Sequence, residues 1–88
     1  MTDYALTHRA TRLPGANPET DREVLCDGRP IARVRMIDSG PSAGEWNWSA
    51  YWVSDDNRGR VASRDDALAE IKRRVSPETL TMLPPARL

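Results

Sequence analysis

The residues in this chain able to do chemistry are few, and most of them stand alone. His8 is the single histidine and Cys26 the single cysteine, while Asp55-Asp56 and Asp65-Asp66 form adjacent acid pairs. Acid–base catalysis or metal binding needs such groups to converge, and neither His8 nor Cys26 has a Cys or His at ligand spacing. His8 is therefore expected in solvent, and Cys26 as a small apolar residue. Asp55-Asp56 fits a wet loop, and Asp65-Asp66 fits the start of a helix, whose positive end favours acids. The stretch from Gly40 to Gly44 contains glycines but leads into a strand, and it lacks the Lys and Ser/Thr of a phosphate-binding loop. These residues predict no enzyme, no cofactor and no metal centre.

A second kind of chemistry is recognition. All three tryptophans fall in seven residues of Glu45-Trp46-Asn47-Trp48-Ser49-Ala50-Tyr51-Trp52-Val53. Twelve of the thirteen basic residues are arginine. Aromatics on a sheet stack unpaired bases for roughly 1–3 kcal/mol each while arginines hold phosphates. On that reading Trp46, Trp48, Tyr51 or Trp52 would stack and Arg33 and Arg35 would clamp. The competing reading is a core. In an extended strand Trp46, Trp48, Ala50 and Trp52 line one side, and a chain of 88 residues with no Phe needs its large rings inside. Arg33 and Arg35 alternate with the core face, which separates clamps from stackers. A ring at the sheet margin, Trp46 or Trp52, remains able to anchor a protein partner, because Trp is enriched at interface centres.

The elements that must position these groups begin at Asp21. Residues 1–20 have a turn-rich composition ending in Leu13-Pro14-Gly15-Ala16-Asn17-Pro18 and are expected as a flexible arm, with an edge strand from Tyr4 to Leu13 as the alternative. Glu23-Val24-Leu25-Cys26 and Ile31 to Ile37 flank Asp27-Gly28, a favoured hairpin turn. A two-residue loop pairs Val24 with Ile31. One further loop residue pairs Val24 with Ala32 and Glu23 with Arg33. After the loop Ser39 to Gly44 comes the tryptophan strand, and Ser54 to Gly59 reads as a surface loop. Ser63-Arg64-Asp65-Asp66 opens a helix with the apolar stripe Ala67, Leu68, Ile71 and Val75, and Lys72-Arg73-Arg74 followed by Pro77 closes it. The expectation is an α+β domain over residues 21–76: a three-stranded antiparallel meander with one C-terminal amphipathic helix packed on the tryptophan face. Residues 77–88 are expected as a short turn and tail.

Asp27-Gly28, Arg33-Val34, Pro41, Gly44, Trp46-Asn47-Trp48-Ser49 and the run Gly59 to Ala69 resemble a small alphaproteobacterial protein family. Its members share a hairpin, a Trp-x-Trp-Ser/Thr strand and a Gly-x-Ala-Ser/Thr-Arg-Asp/Glu helix start, over the equivalent of residues 21–75. The resemblance implies the fold and no activity. The helix end Lys72-Arg73-Arg74-Val75 departs from relatives that place an aromatic there. The sheet leading into Ser-x-x-Asp-Ala-Leu is also similar to antitoxins of the HicB kind.

Equal numbers of acids and bases give zero net charge, so no global field draws the chain to nucleic acid or an anionic membrane. No apolar run reaches bilayer length. The start Met1-Thr2-Asp3-Tyr4 lacks the features of a secretory signal, and a lone cysteine forms no internal disulfide, so a reducing cytoplasm is expected. The sequence points to a non-enzymatic protein-interaction or regulatory module, with a protein partner or a second copy as its ligand. A single-stranded nucleic-acid binder is the alternative. The candidate binding residues are Trp46, Trp52, Tyr51, Arg33 and Arg35.

Overall fold

A computed structural model describes residues 4–84; the first three residues of the expected arm and positions 85–88 of the expected tail lie outside them. The chain forms a five-stranded antiparallel sheet in sequential order, followed by two helices. The strands are β1 (Leu6–Ala10), β2 (Asp21–Cys26), β3 (Arg29–Met36), β4 (Trp46–Ala50) and β5 (Arg58–Val61); the helices are α1 (Arg64–Arg74) and α2 (Pro77–Thr81). The expected three-stranded meander with one helix is therefore corrected. One added strand, β1, comes from the segment expected as an arm and pairs Leu6 with Cys26 and His8 with Val24. The other, β5, begins inside the stretch expected as a surface loop. The additional helix, α2, is capped by Ser76, whose Oγ accepts from the Thr79 amide at 3.2 Å, with Pro77 at the first helical position.

Asp27 and Gly28 both take positive φ, 52° and 81°, as a two-residue hairpin turn of the favoured hand requires. Cys26 then pairs with Arg29 and Leu25 with Pro30, but Val24 pairs with Ala32 and Glu23 with Arg33. Ile31 is the extra residue of a bulge, next to a proline that has no amide to give the ladder. The hairpin thus combines the short loop of one expected register with the strand pairing of the other. Ile31 and Ala32 are in consequence both fully buried.

The face formed by Val24, Ala32, Val34, Trp46, Trp48 and Ala50 is the core face, and α1 crosses it over β3, β4 and β5. Ser63 caps α1 by accepting from the Asp66 amide at 3.1 Å, and Ala67 and Ile71 enter the core. Trp46, Trp48 and Trp52 retain 9, 3 and 1% of their surface. Each such ring removes about 150–250 Å² from water, the largest single burials a chain without Phe can make. Regular pairing stops at Ala50, so Trp52 reaches the core from the turn beyond β4, where its carbonyl accepts from Asn57 Nδ2 at 3.0 Å.

Candidate anion-binding site

Strand alternation places on the opposite face everything that does not enter the core. Val34, Trp48 and Gly59 are cross-strand partners on the core side, so their neighbours Arg33, Ser49 and Arg58 form a row on the open side. Arg35, Asn47 and Arg60 form the next row. Each row runs arginine, small polar residue, arginine across β3, β4 and β5. With strands about 4.8 Å apart and alternate residues about 6.8 Å apart, the four arginine Cα atoms mark a rectangle of roughly 10 by 7 Å. Between them lies a trough of about 520 Å³, its floor completed by Trp48 and Gly59. That volume lies within the range of small-ligand sites.

The rest of the open face is internally paired. Asp21, 4% exposed, accepts from Arg33 Nε at 2.7 Å and from Arg33 Nη2, and from Thr11 Oγ1 at 2.8 Å. The Arg33 guanidinium beside it holds the Asp21 carboxyl below the usual carboxylate range. Glu23 accepts from Arg9 Nη2 at 2.8 Å and from the Tyr51 hydroxyl at 3.0 Å. Tyr51 reaches from the end of β4 past β3 to make that bond, and burial, reinforced by the Glu23 charge, pushes its phenol up to about 12. At the other end of the trough Arg60 Nε meets Glu45 Oε2 at 3.1 Å, a buried oxygen that receives no aligned hydrogen bond.

These pairings leave a specific remainder. Arg35 and Arg58 are exposed, and among the described residues neither forms an ion pair or a side-chain hydrogen bond. They stand at diagonal corners of the rectangle. Arg35 and Asn47 also line a second, polar hollow of about 420 Å³ between the β1–β2 and β3–β4 connections, with Gly15, Asn17, Ser39 and the acids Asp21 and Asp38 around it.

The structure brings Arg33 and Arg35 together and keeps both away from Trp46 and Trp52, which are buried on the other side of the sheet. Tyr51 lies on the arginine side, but its hydroxyl is committed to Glu23. Arg58, Arg60, Asn47 and Ser49 belong to the same site; Arg58 and Arg60 are hidden in the sequence because β5 is not legible there, and Asn47 and Ser49 because the polar side of the tryptophan strand shows its role only beside β5. His8, expected in solvent, is half-buried on β1, where Nδ1 accepts from Arg22 Nε at 3.0 Å; burial and the Arg22 charge lower its pKa. Cys26 is buried, and its thiol is pushed up by burial, so it is poorly nucleophilic. Among the described residues no group of three or more His, Cys, Asp or Glu is placed to hold a metal, and no helix is long and apolar enough to cross a membrane. The chain matches no protein-family model, no curated protein and no solved structure.

Proposed function

We propose that the protein is a non-enzymatic interaction module that receives a short acidic segment of a partner protein on the open face of its sheet. The observation that carries this reading is the arginine rectangle, in which Arg35, although cross-strand from Asp21, and Arg58 form no ion pair among the described residues over a concave floor. A solvated arginine on a flat surface needs no ligand. Four arranged around one trough concentrate positive potential in a chain whose net charge is zero, and guanidinium forks suit carboxylates. A second copy of the chain is a poorer occupant, because a two-fold contact through this face would set arginine against arginine. A long polyphosphate strand is also a poorer fit. It would leave the trough past Asp21 and Glu23 on one flank or Glu45 on another, and no free aromatic ring is there to stack a base.

The test is fluorescence anisotropy of a labelled Glu-rich peptide at low salt, with the wild-type protein and with Arg35→Glu/Arg58→Glu. Saturable binding that the double variant loses supports the reading. Binding that the variant retains, or none at all, overturns it. A mixed single-stranded oligonucleotide that binds through the same arginines while the peptide does not would replace it with a nucleic-acid function.

A further inference from the structure

We infer that the ligand group seated among Arg33, Arg35, Arg58 and Arg60 is a phosphomonoester dianion carried on a side chain of the partner polypeptide. This deepens the acidic-partner reading above and rests on it. The first ground is charge. Asp21 engages Arg33 and Glu45 faces Arg60, so two of the four guanidinium groups are already matched within the chain. Arg35 and Arg58 are the surplus, two positive charges where a phosphomonoester brings about 1.5–2 negative ones. A single carboxylate would leave one of them uncompensated.

The second ground is geometry. Arg35 and Arg58 approach the floor from diagonal corners, on β3 and β5, and are separated at the Cα level by about 12 Å when the strand spacings are combined. Two extended arginine side chains are long enough to span that separation, above Asn47 and Ser49, which lie between them in register. A group bound there receives forks from two opposed directions and, from below, the donors of the Ser49 hydroxyl and the Asn47 amide. A tetrahedral group with three free oxygens accepts from several directions at once. A planar carboxylate accepts in its own plane.

The third ground selects a polypeptide source over a free phosphorylated metabolite. Arg35 and Asn47 are shared between the trough and the neighbouring hollow at the β1–β2 and β3–β4 connections. That hollow presents loop residues together with Arg35 and the two acids Asp21 and Asp38, so the phosphate stays in the trough and only neutral or basic flanking residues enter the hollow. No aromatic residue lines it, so a base has no ring to stack on, whereas an extended peptide flanking the phosphorylated side chain can lie along it.

Calorimetric titration of the full chain at one ionic strength tests this with four probes: a short Gly/Ser peptide carrying one phosphoserine, the same peptide with Glu in its place, the unmodified Ser peptide, and inorganic phosphate. The phosphoserine peptide is expected to bind at least about tenfold more tightly than the Glu peptide, with charge-assisted forks as the source of the difference. Arg35→Gln/Arg58→Gln, with its fold verified by circular dichroism, is expected to close that gap. Equal affinity for the phosphoserine and Glu peptides overturns the phosphate inference and leaves the acidic-partner reading standing. Inorganic phosphate that matches the phosphoserine peptide overturns the polypeptide source. Failure of both acidic peptides overturns the inference together with the reading on which it rests.

Discussion

Gly59 lies against the indole of Trp48 so closely that a β-carbon placed on it would stand 2.7 Å from Nε1. The two residues are cross-strand partners, and the ring occupies the space that a side chain on β5 would need. Over the Trp48 ring lies Arg74, whose guanidinium sits 4.6 Å from the ring centroid and whose Nε donates to Asp56 Oδ2 at 2.9 Å. Trp48 thus ties β4 to β5 and to the end of α1. Gly59→Ala is expected to destabilise the protein by about 1–3 kcal/mol, the cost of overpacking a filled site. Urea unfolding measures this, and an unchanged midpoint would contradict it.

The same contact explains what could not be seen in the sequence. A strand is recognised by apolar residues at alternate positions, and β5 offers Gly59 at a position facing the core. Its burial is supplied by a tryptophan on a neighbouring strand, so no local pattern survives. β1 fails similarly, since its inward positions Leu6 and His8 include a histidine held by Arg22 rather than by apolar packing. The cap at Ser63 and the turn at Asp27-Gly28 were legible because each depends on adjacent residues alone. Alternation also set Arg33 and Arg35 apart from Val34 and Met36. The second half of the arginine rectangle came from β5 and was hidden with it.

Tyr51 makes the fold sensitive to alkali. Its phenol is raised from an ordinary value of 10 to about 12, by burial first and by Glu23 second. The folded state therefore holds the proton that the unfolded state releases. The resulting stability is complete below pH 10 and is lost as pH rises through the interval up to about 12. Tyr51→Phe removes this component. Across that interval the wild type is expected to lose stability that Tyr51→Phe does not lose, measured as denaturant midpoints of both proteins; parallel curves would contradict the assignment.

On the acid side His8 and Asp21 act in sequence. Both have lowered pKa values, His8 through burial and Arg22, Asp21 through the Arg33 hydrogen bond. For each, the unfolded state binds the proton more readily, so the contribution is present above the ordinary value and disappears as pH falls. His8 should weaken the fold below its ordinary 6.5, and Asp21 below 3.8. Asp21→Asn should cost about 1–3 kcal/mol at neutral pH, because it deprives Arg33 of a charged acceptor. Denaturant midpoints at neutral and acid pH measure both effects, and an Asp21→Asn protein as stable as wild type at neutral pH would refute the role given to that pair.

Arg35 and Arg58 should matter to the fold hardly at all. Both are exposed and unpaired among the described residues, and surface substitutions of this kind fall within about 0.5 kcal/mol. Arg35→Ser/Arg58→Ser is expected to unfold at the wild-type urea midpoint. A marked loss would mean that these arginines serve the structure and not a ligand.

The most direct test of the central claim is a chemical-shift map recorded while a Glu-rich or phosphoserine peptide is titrated into the isotopically labelled protein. Binding on the open face predicts shifts that cluster at Arg33, Arg35, Asn47, Ser49, Arg58 and Arg60, with the indole resonances of Trp46 and Trp52 unmoved on the buried side. Shifts centred on those indoles, or on the groove of Leu6, Leu68 and Ala69 between β1 and α1, would contradict it.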